Sequence, residues 1–377
     1  MQRDLRLDAI RGFLLAEITF VHTHAPGSSI VNEFFGRVSM AAAFIFLSGL
    51  VAGAVYGRIA DRSLLKCANV AVKRSFYIHK YHVATFALLL FVALLVPQYI
   101  ESFRFDWITN PSEAWRNIVK FLFLAFQPSV FDILPLYTLF VLAMPLAFLG
   151  FKKGHSTTVL TISFVLWIVA QLGLGHDKAF GGSDFNPFAW QLLYFTGLYF
   201  GYHQIHHRQE IVRFQRGLIA ACFSVVVLGF SLRWNLIDWP NYLQKGTFLS
   251  NKSNHSILYV INFYAFAYLV WCIARRLPGL ITIRPFVFLG KHSIQVFSFH
   301  ILAVYLTLSL MQTAKQVSPW MGMFLGVLVV GSLFIPAMIH HWYRKRDRIK
   351  KEPAGIFAHV KPNAAPGYKA GAENRVP

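Results

Sequence analysis

Apolar residues are distributed along the chain in blocks of about 18 to 22, separated by short polar stretches, the length a helix needs to cross a hydrocarbon core of about 30 Å. The blocks predict helices over 7–24, 38–57, 76–97, 130–150, 156–174, 188–203, 216–234, 256–275, 293–311 and 320–341. The fold expected from this pattern is all-α, a polytopic membrane bundle of about ten transmembrane helices. The apolar stretch over 118–126 is too short to span. Asn110-Pro111 and Gln127-Pro128 bracket it as breakers, which predicts an interfacial or re-entrant piece. Basic residues followed by an apolar run at Phe13 resemble the start of a signal peptide. Asp4, Asp8 and Glu17, with no convincing small-x-small cleavage site, point instead to a retained first helix.

Composition agrees with the pattern. Of 377 residues, 56% are hydrophobic and only 14% charged, with a mean hydropathy of +0.49, against roughly 25% charged in a soluble domain. A net charge of +20 raises the question of nucleic acid. No basic face on a soluble domain and no binding motif accompanies it, so no nucleic-acid partner is expected. The basic residues instead alternate between loops. One side receives Arg3, Arg6, the run from Arg58 to Lys80, Lys152, Lys153, Arg208, Arg213, Arg216, Arg275, Arg276, Arg284, Lys291 and the C-terminal cluster. The other receives Arg104, Arg116, Lys120, Lys178, Arg233, Lys245, Lys252 and Lys315. An excess of about three to one predicts an inner-membrane protein with both termini cytoplasmic and anionic lipid as a partner. After Tyr343 the chain reads RKRDRIKK and then a Pro, Gly, Ala and Lys mixture, so 344–377 is expected to be a disordered basic cytoplasmic tail and 1–343 the membrane domain.

Metal chemistry finds little support in the pattern. Cys67, Cys222 and Cys272 have neither CxxC nor Cys/His ligand spacing. His203, His206, His207 and Arg208 lie in a basic loop with only Glu210 nearby as an acid, and read as basic surface. No metal and no bound cofactor are expected.

Charged side chains within a spanning helix are costly and are therefore functional candidates. Arg11 and His22 are eleven positions apart, which is three turns and about 20°, so they share one face with a rise of roughly 16 Å. Such a pair can touch two halves of a substrate that crosses the membrane. The alternatives are a snorkelling anchor for Arg11, paired with Asp8, and a structural hydrogen bond for His22. Glu17 lies about 140° from His22 on the helix wheel and is expected to serve packing rather than the same pocket.

RDLRLDAIRGFLL at 3–15, then His22, then FGRVSMAAAFIFLSGLVAGAVYG at 35–57 resemble the opening of the OpgC proteins. FDILPLY at 131–137, FNPFAWQLLYFTGLYFG at 185–201, NKSN at 251–254 and FLGKHSIQVFSFH at 288–300 continue the resemblance over almost the whole chain except its tail. These proteins lie in the wider acyltransferase family 3, marked by an arginine and a histidine with ten residues between them. The resemblance implies O-acylation, with a cytoplasmic acyl-CoA donor, succinyl-CoA in the named family, and hydroxyls of a periplasmic glucan or other polysaccharide as acceptor. It makes His22 the general base and Arg11 the residue that steadies the thioester or its phosphates. His24 is the alternative base, because Val21 stands where the family carries an acid before its histidine.

A developing oxyanion needs donors. Ser48, Ser298, Gln295 and His300 are the polar candidates, with buried interhelical hydrogen bonds as the competing reading for Gln295 and His300. Trp190 and Asp132 are expected near a helix entrance where carbohydrate is held by stacking and carboxylate bonds. An interfacial belt role for Trp190 and an N-cap role for Asp132 are the alternatives. Two other functions fit the same composition: a non-catalytic subunit of a glucan-producing complex, and a glycan transporter.

Overall fold

The computed structural model describes residues 4–173 and 185–351, and every regular element among them is a helix. In chain order the principal helices are α1 (Leu5–His22), α2 (Met40–Arg62), α3 (Leu64–Leu95), α4 (Pro111–Leu122), α5 (Ile133–Lys152), α6 (Ser156–Gln171), α7 (Pro187–Phe200), α8 (Arg216–Trp234), α9 (Ile257–Arg276), α10 (Arg284–Lys291), α11 (Ser293–Val317), α12 (Pro319–Ser332) and α13 (Phe334–Lys351). The chain divides into Met1–Ala337, which holds the bundle described below, and Met338–Pro377. The helix α13 runs through 344–351. The tail expected to be disordered falls, over 352–377, outside the described residues.

Among the described residues, seven helices are long and apolar enough to cross a membrane: α2, α3, α5, α8, α9, α11 and the continuous stretch Pro319–Asp347. Ten were expected, and each remaining member has a physical reason to differ. The helix α1 carries Arg6, Asp8, Arg11 and Glu17, but Asp8 and Glu17 are buried by protein, so α1 need not be apolar to be enclosed. It packs between α10, α2 and α11. The helices α6 and α7 have 16 and 14 residues. Beyond its end, α7 winds into a π-turn over Gly201–His206.

Helices in lipid gain little from hydrophobicity against one another, so close packing has to come from small residues. A Cβ on Gly49 would strike the carbonyl of Tyr194, and one on Gly197 would strike the carbonyl of Phe46, so α2 and α7 touch backbone to backbone. The same reciprocity joins α1 to α10, where Gly12 faces the Phe286 carbonyl and Gly290 faces that of Asp8. These two contacts set where α1 and α2 stand in the bundle.

The expected interfacial piece is α4, which starts earlier than the apolar run because the run marks only its second half. Pro111 sits in its first turn and the Asn110 carboxamide accepts from Ser112 N at 3.1 Å. Phe121 is buried in a ring cluster with His82, Phe86 and Phe131, whereas Trp115 and Phe123 on the same segment are exposed.

Candidate functional site

The first helix turns His22 toward α11, where the ring of His300 stacks on it at 5.5 Å between centroids. Nδ1 of His22 lies 3.3 Å from Nε2 of His300. The other nitrogen of His300, Nδ1, meets the carbonyl of Phe297 in its own helix. A carbonyl only accepts, so His300 Nδ1 carries the hydrogen, and in the neutral ring its Nε2 is an acceptor. His22 must then donate from Nδ1, which leaves its Nε2 as the unprotonated nitrogen. The pair found at sequence separation 278 thus fixes the orientation and tautomer of the His22 ring in the way a carboxylate or carbonyl does in other sites.

His22 lines a cleft together with Glu17, Asn32, Ser39, Asp132, Phe185 and Lys252. Asp132 stands just before α5, buried, and its side chain does not cap that helix. Glu17 shares the cleft with His22 instead of facing away from it. A wheel angle describes the direction of Cα–Cβ, but a cleft curving around a helix end collects side chains from neighbouring faces.

Lys252 brings the loop 250–256 to the cleft, and four side chains tie that loop down. Trp190 Nε1 donates to Ser253 O at 2.9 Å and Trp167 Nε1 to His255 O at 2.9 Å. Gln171 Nε2 donates to Asn254 O at 2.8 Å, and Asn186 Nδ2 to Asn254 Oδ1 at 3.2 Å. Lys252 is thereby held at the cleft, its Nζ 3.1 Å from Glu33 Oε1. The hydroxyl of Tyr259 donates to Glu33 Oε2 at 3.1 Å, and Arg37 Nη1 lies 4.0 Å from the same oxygen. Burial drives the Glu33 carboxyl up, but the charges of Lys252 and Lys245 and the hydrogen bonds from Lys252 and Tyr259 outweigh it and hold the group below its ordinary value.

Arg11 lines a second cavity with Ser48, Tyr56, Arg74, Tyr137, Ser293 and Phe297. Nε of Arg74 is buried without a hydrogen-bond partner among the described residues. Stacked rings of Phe44 and Phe297, 5.6 Å apart, belong to its wall. Phe297 also supplies the carbonyl that His300 uses, and Ile133 and Leu134 are neighbours in α5 that line one cavity each. Two cavities with polar groups in their walls therefore lie along α1, one at His22 and one at Arg11.

Among the residues expected from sequence, His22 and Asp132 line the first cavity with His300 against the His22 ring, and Arg11 and Ser48 line the second. Three go elsewhere. The carboxamide of Gln295 donates to the hydroxyls of Tyr77 at 3.1 Å and Tyr81 at 3.0 Å and faces α3. Trp190 is fully enclosed, so its ring offers no face for a sugar; its work is to anchor Ser253. Ser298 is buried, lines neither cavity, and its hydroxyl has no partner among the described residues. The alternative base His24 is exposed, has a left-handed backbone with φ of 53°, and does not line the His22 cleft.

One histidine cluster departs from its reading as plain basic surface. Asp61 at the end of α2 accepts from Tyr202 at 2.6 Å and lies 2.6 Å from His206 Nε2 and 3.2 Å from His207 Nε2. These three groups are close enough to share a metal ion. With the Tyr202 hydroxyl they form a clamp that binds the end of α2 to the π-turn. The acid lies some 145 positions from the imidazoles, which is why local spacing could not supply it.

A family model described as OpgC protein matches residues 3–345 of the chain. No curated protein and no solved structure matches it.

Proposed function

The chain belongs to the OpgC family, and on that premise we propose that it is an inner-membrane O-acyltransferase of the acyltransferase family 3 type. It moves an acyl group, succinyl in the first instance, from a cytoplasmic acyl-CoA to hydroxyls of a periplasmic glucan or related polysaccharide. The observation that carries this reading is the His22–His300 contact beside a polar cleft, because it supplies an oriented base where an acceptor hydroxyl can enter.

The acceptor occupies the His22 cleft, where Asp132, Glu17 and Asn32 offer hydrogen-bonding partners to its hydroxyls. The donor enters by the Arg11 cavity, where Arg11 and Arg74 meet its anionic parts with charge-assisted bonds. Its acyl end passes Phe44 and Phe297 to reach His22. Nε2 of His22 takes the hydroxyl proton as the oxygen attacks the thioester carbonyl. The tetrahedral intermediate then expels the thiolate as the C–S bond breaks, and the imidazolium returns the proton to sulfur. An ester and a free thiol result. His300 accepts from Nδ1 throughout and keeps the base in one tautomer.

The test is the mass and charge of periplasmic and envelope glucans from cells lacking the protein, complemented with the native chain or with His22→Ala. Acyl substituents that vanish in the deletion, return with the native chain and stay absent with the variant support the proposal. Full restoration by His22→Ala removes His22 as the base, and unchanged glycans in the deletion remove the glucan as the target.

A further inference from the structure

The end of the bundle where His22 lies is the one whose loops carry few cations, yet the fold gathers several of them around a single buried carboxylate. Glu33 is fully enclosed and Arg37 nearly so. Lys252 is their counterpart toward the cleft, with about 31% of its side chain exposed. Lys245 lies near enough to act on Glu33 as well. Arg233, from α8, is engaged with the carbonyls of Ser29 and Asn32 and holds the loop that bears Glu33.

Glu33 thus faces Arg37, which is buried, Lys252, which is partly exposed, and Lys245, which is exposed, and among the residues lining the His22 cleft Lys252 is the cation. The buried Glu33–Arg37 pair is neutral, so the charge of Lys252 is the part of this group presented to the cleft, where a further anion can meet it. Four tethers on the 250–256 loop hold Lys252 where it meets the cleft. Glu17 and Asp132 line the same cleft, so an anionic group is accepted only where Lys252 outweighs them, and this locates it at Nζ.

We infer that Lys252, backed by Arg37 and Lys245 around Glu33, is an anion-binding subsite beside His22 that takes a carboxylate or phosphate group of a substrate. Naming the ligand a substrate rests on the transferase reading; the anion site itself does not. The group arrives either at the free end of a dicarboxylic acyl chain or on the polysaccharide.

The experiment uses the full chain purified in detergent, titrated with succinate and with inorganic phosphate at constant ionic strength against chloride, reading the thermal midpoint. The midpoint of the native chain rises. Lys252→Gln abolishes the rise, Lys252→Arg keeps part of it, and Lys120→Gln, an exposed cation on α4, keeps all of it. Should Lys252→Gln fail to fold, Lys245→Gln weakens anion affinity several-fold. No rise in the native chain, or an undiminished rise in Lys252→Gln or, where that variant does not fold, in Lys245→Gln, overturns the subsite.

Transfer assays then distinguish the sources. If the anion is on the donor, Lys252→Gln lowers the ratio of succinyl to acetyl transfer onto a neutral glucan by about tenfold or more. If it is on the acceptor, the ratio of anionic to neutral glucan modified falls instead. Neither ratio moving overturns the assignment to a substrate. A native chain that transfers nothing but retains the succinate response refutes the transferase reading and leaves the anion subsite standing.

Discussion

Replacing His300 with phenylalanine keeps a ring of similar size against His22 but removes the nitrogen that accepts from it. In the native arrangement His22 Nδ1 and His300 Nε2 are 3.3 Å apart, and His300 is buried. The substitution leaves the His22 Nδ1 hydrogen without its acceptor, which costs about 1–3 kcal/mol for a buried donor. The ring regains part of that by turning or by moving its hydrogen to Nε2, and either change takes the lone pair away from the acceptor hydroxyl. If the cost falls on the transition state, kcat drops by about 5- to 150-fold. The cavity proposed for the donor holds Arg11, Arg74 and Ser48 and not His300, so KM for the acyl thioester stays within about twofold. The assay is steady-state acyl transfer by the purified protein, with thermal melting to show that the variant is folded. A folded His300→Phe chain with native kcat refutes the claim that this contact orients the base.

Other expectations concern packing, donor binding and charge. Gly197→Ala places a methyl group against the Phe46 carbonyl and forces α2 from α7; overpacking of about 1–3 kcal/mol lowers the melting temperature in detergent, whereas Gly217→Ala, with open space around it, does not lower it. Arg74→Gln removes a guanidinium with a buried unpaired Nε from the Arg11 cavity and raises KM for the acyl thioester by about tenfold, measured by initial rates over a donor titration. Glu33 is held below its ordinary value of 4.5, so its stabilisation is fully present above that pH and is lost as pH falls through the lower folded value. Thermal melting from neutral to acid pH shows this loss in the native chain and a flatter profile over the same window in Glu33→Gln.

The membrane class and most helices were legible because a period and a length can be read from any window of sequence. The ten apolar blocks all correspond to helices, yet α1, α6 and α7 depart from the long apolar type. For α1 the reason is enclosure: Asp8 and Glu17 are shielded by protein rather than met by lipid, and no local pattern distinguishes the two. At the site, Arg11 and His22 were visible as ionisable residues on one face of a helix. Pairing His22 with His300, Lys252 with Glu33, and Asp61 with His206 requires knowing which distant segments meet. Trp190 and Gln295 were assigned to substrate by residue type and relative position, but an indole N–H and a carboxamide are equally suited to holding protein backbone and tyrosine hydroxyls, and here they do so. Signals were nonetheless present for Lys252, a cation inside the NKSN motif in a loop otherwise poor in charge. Glu33 and Tyr259 offered none that spacing could reveal.

The most direct test of the central claim is transfer across a reconstituted bilayer. The purified chain is inserted into sealed vesicles with radiolabelled succinyl-CoA on the Arg11 side and a neutral glucan on the His22 side, and label on the glucan is followed with time. Label that accumulates with the native chain, not with His22→Ala and not when donor and acceptor are exchanged between compartments, is the predicted result. Transfer by His22→Ala at the native rate, or none by a folded and correctly inserted native chain, contradicts it.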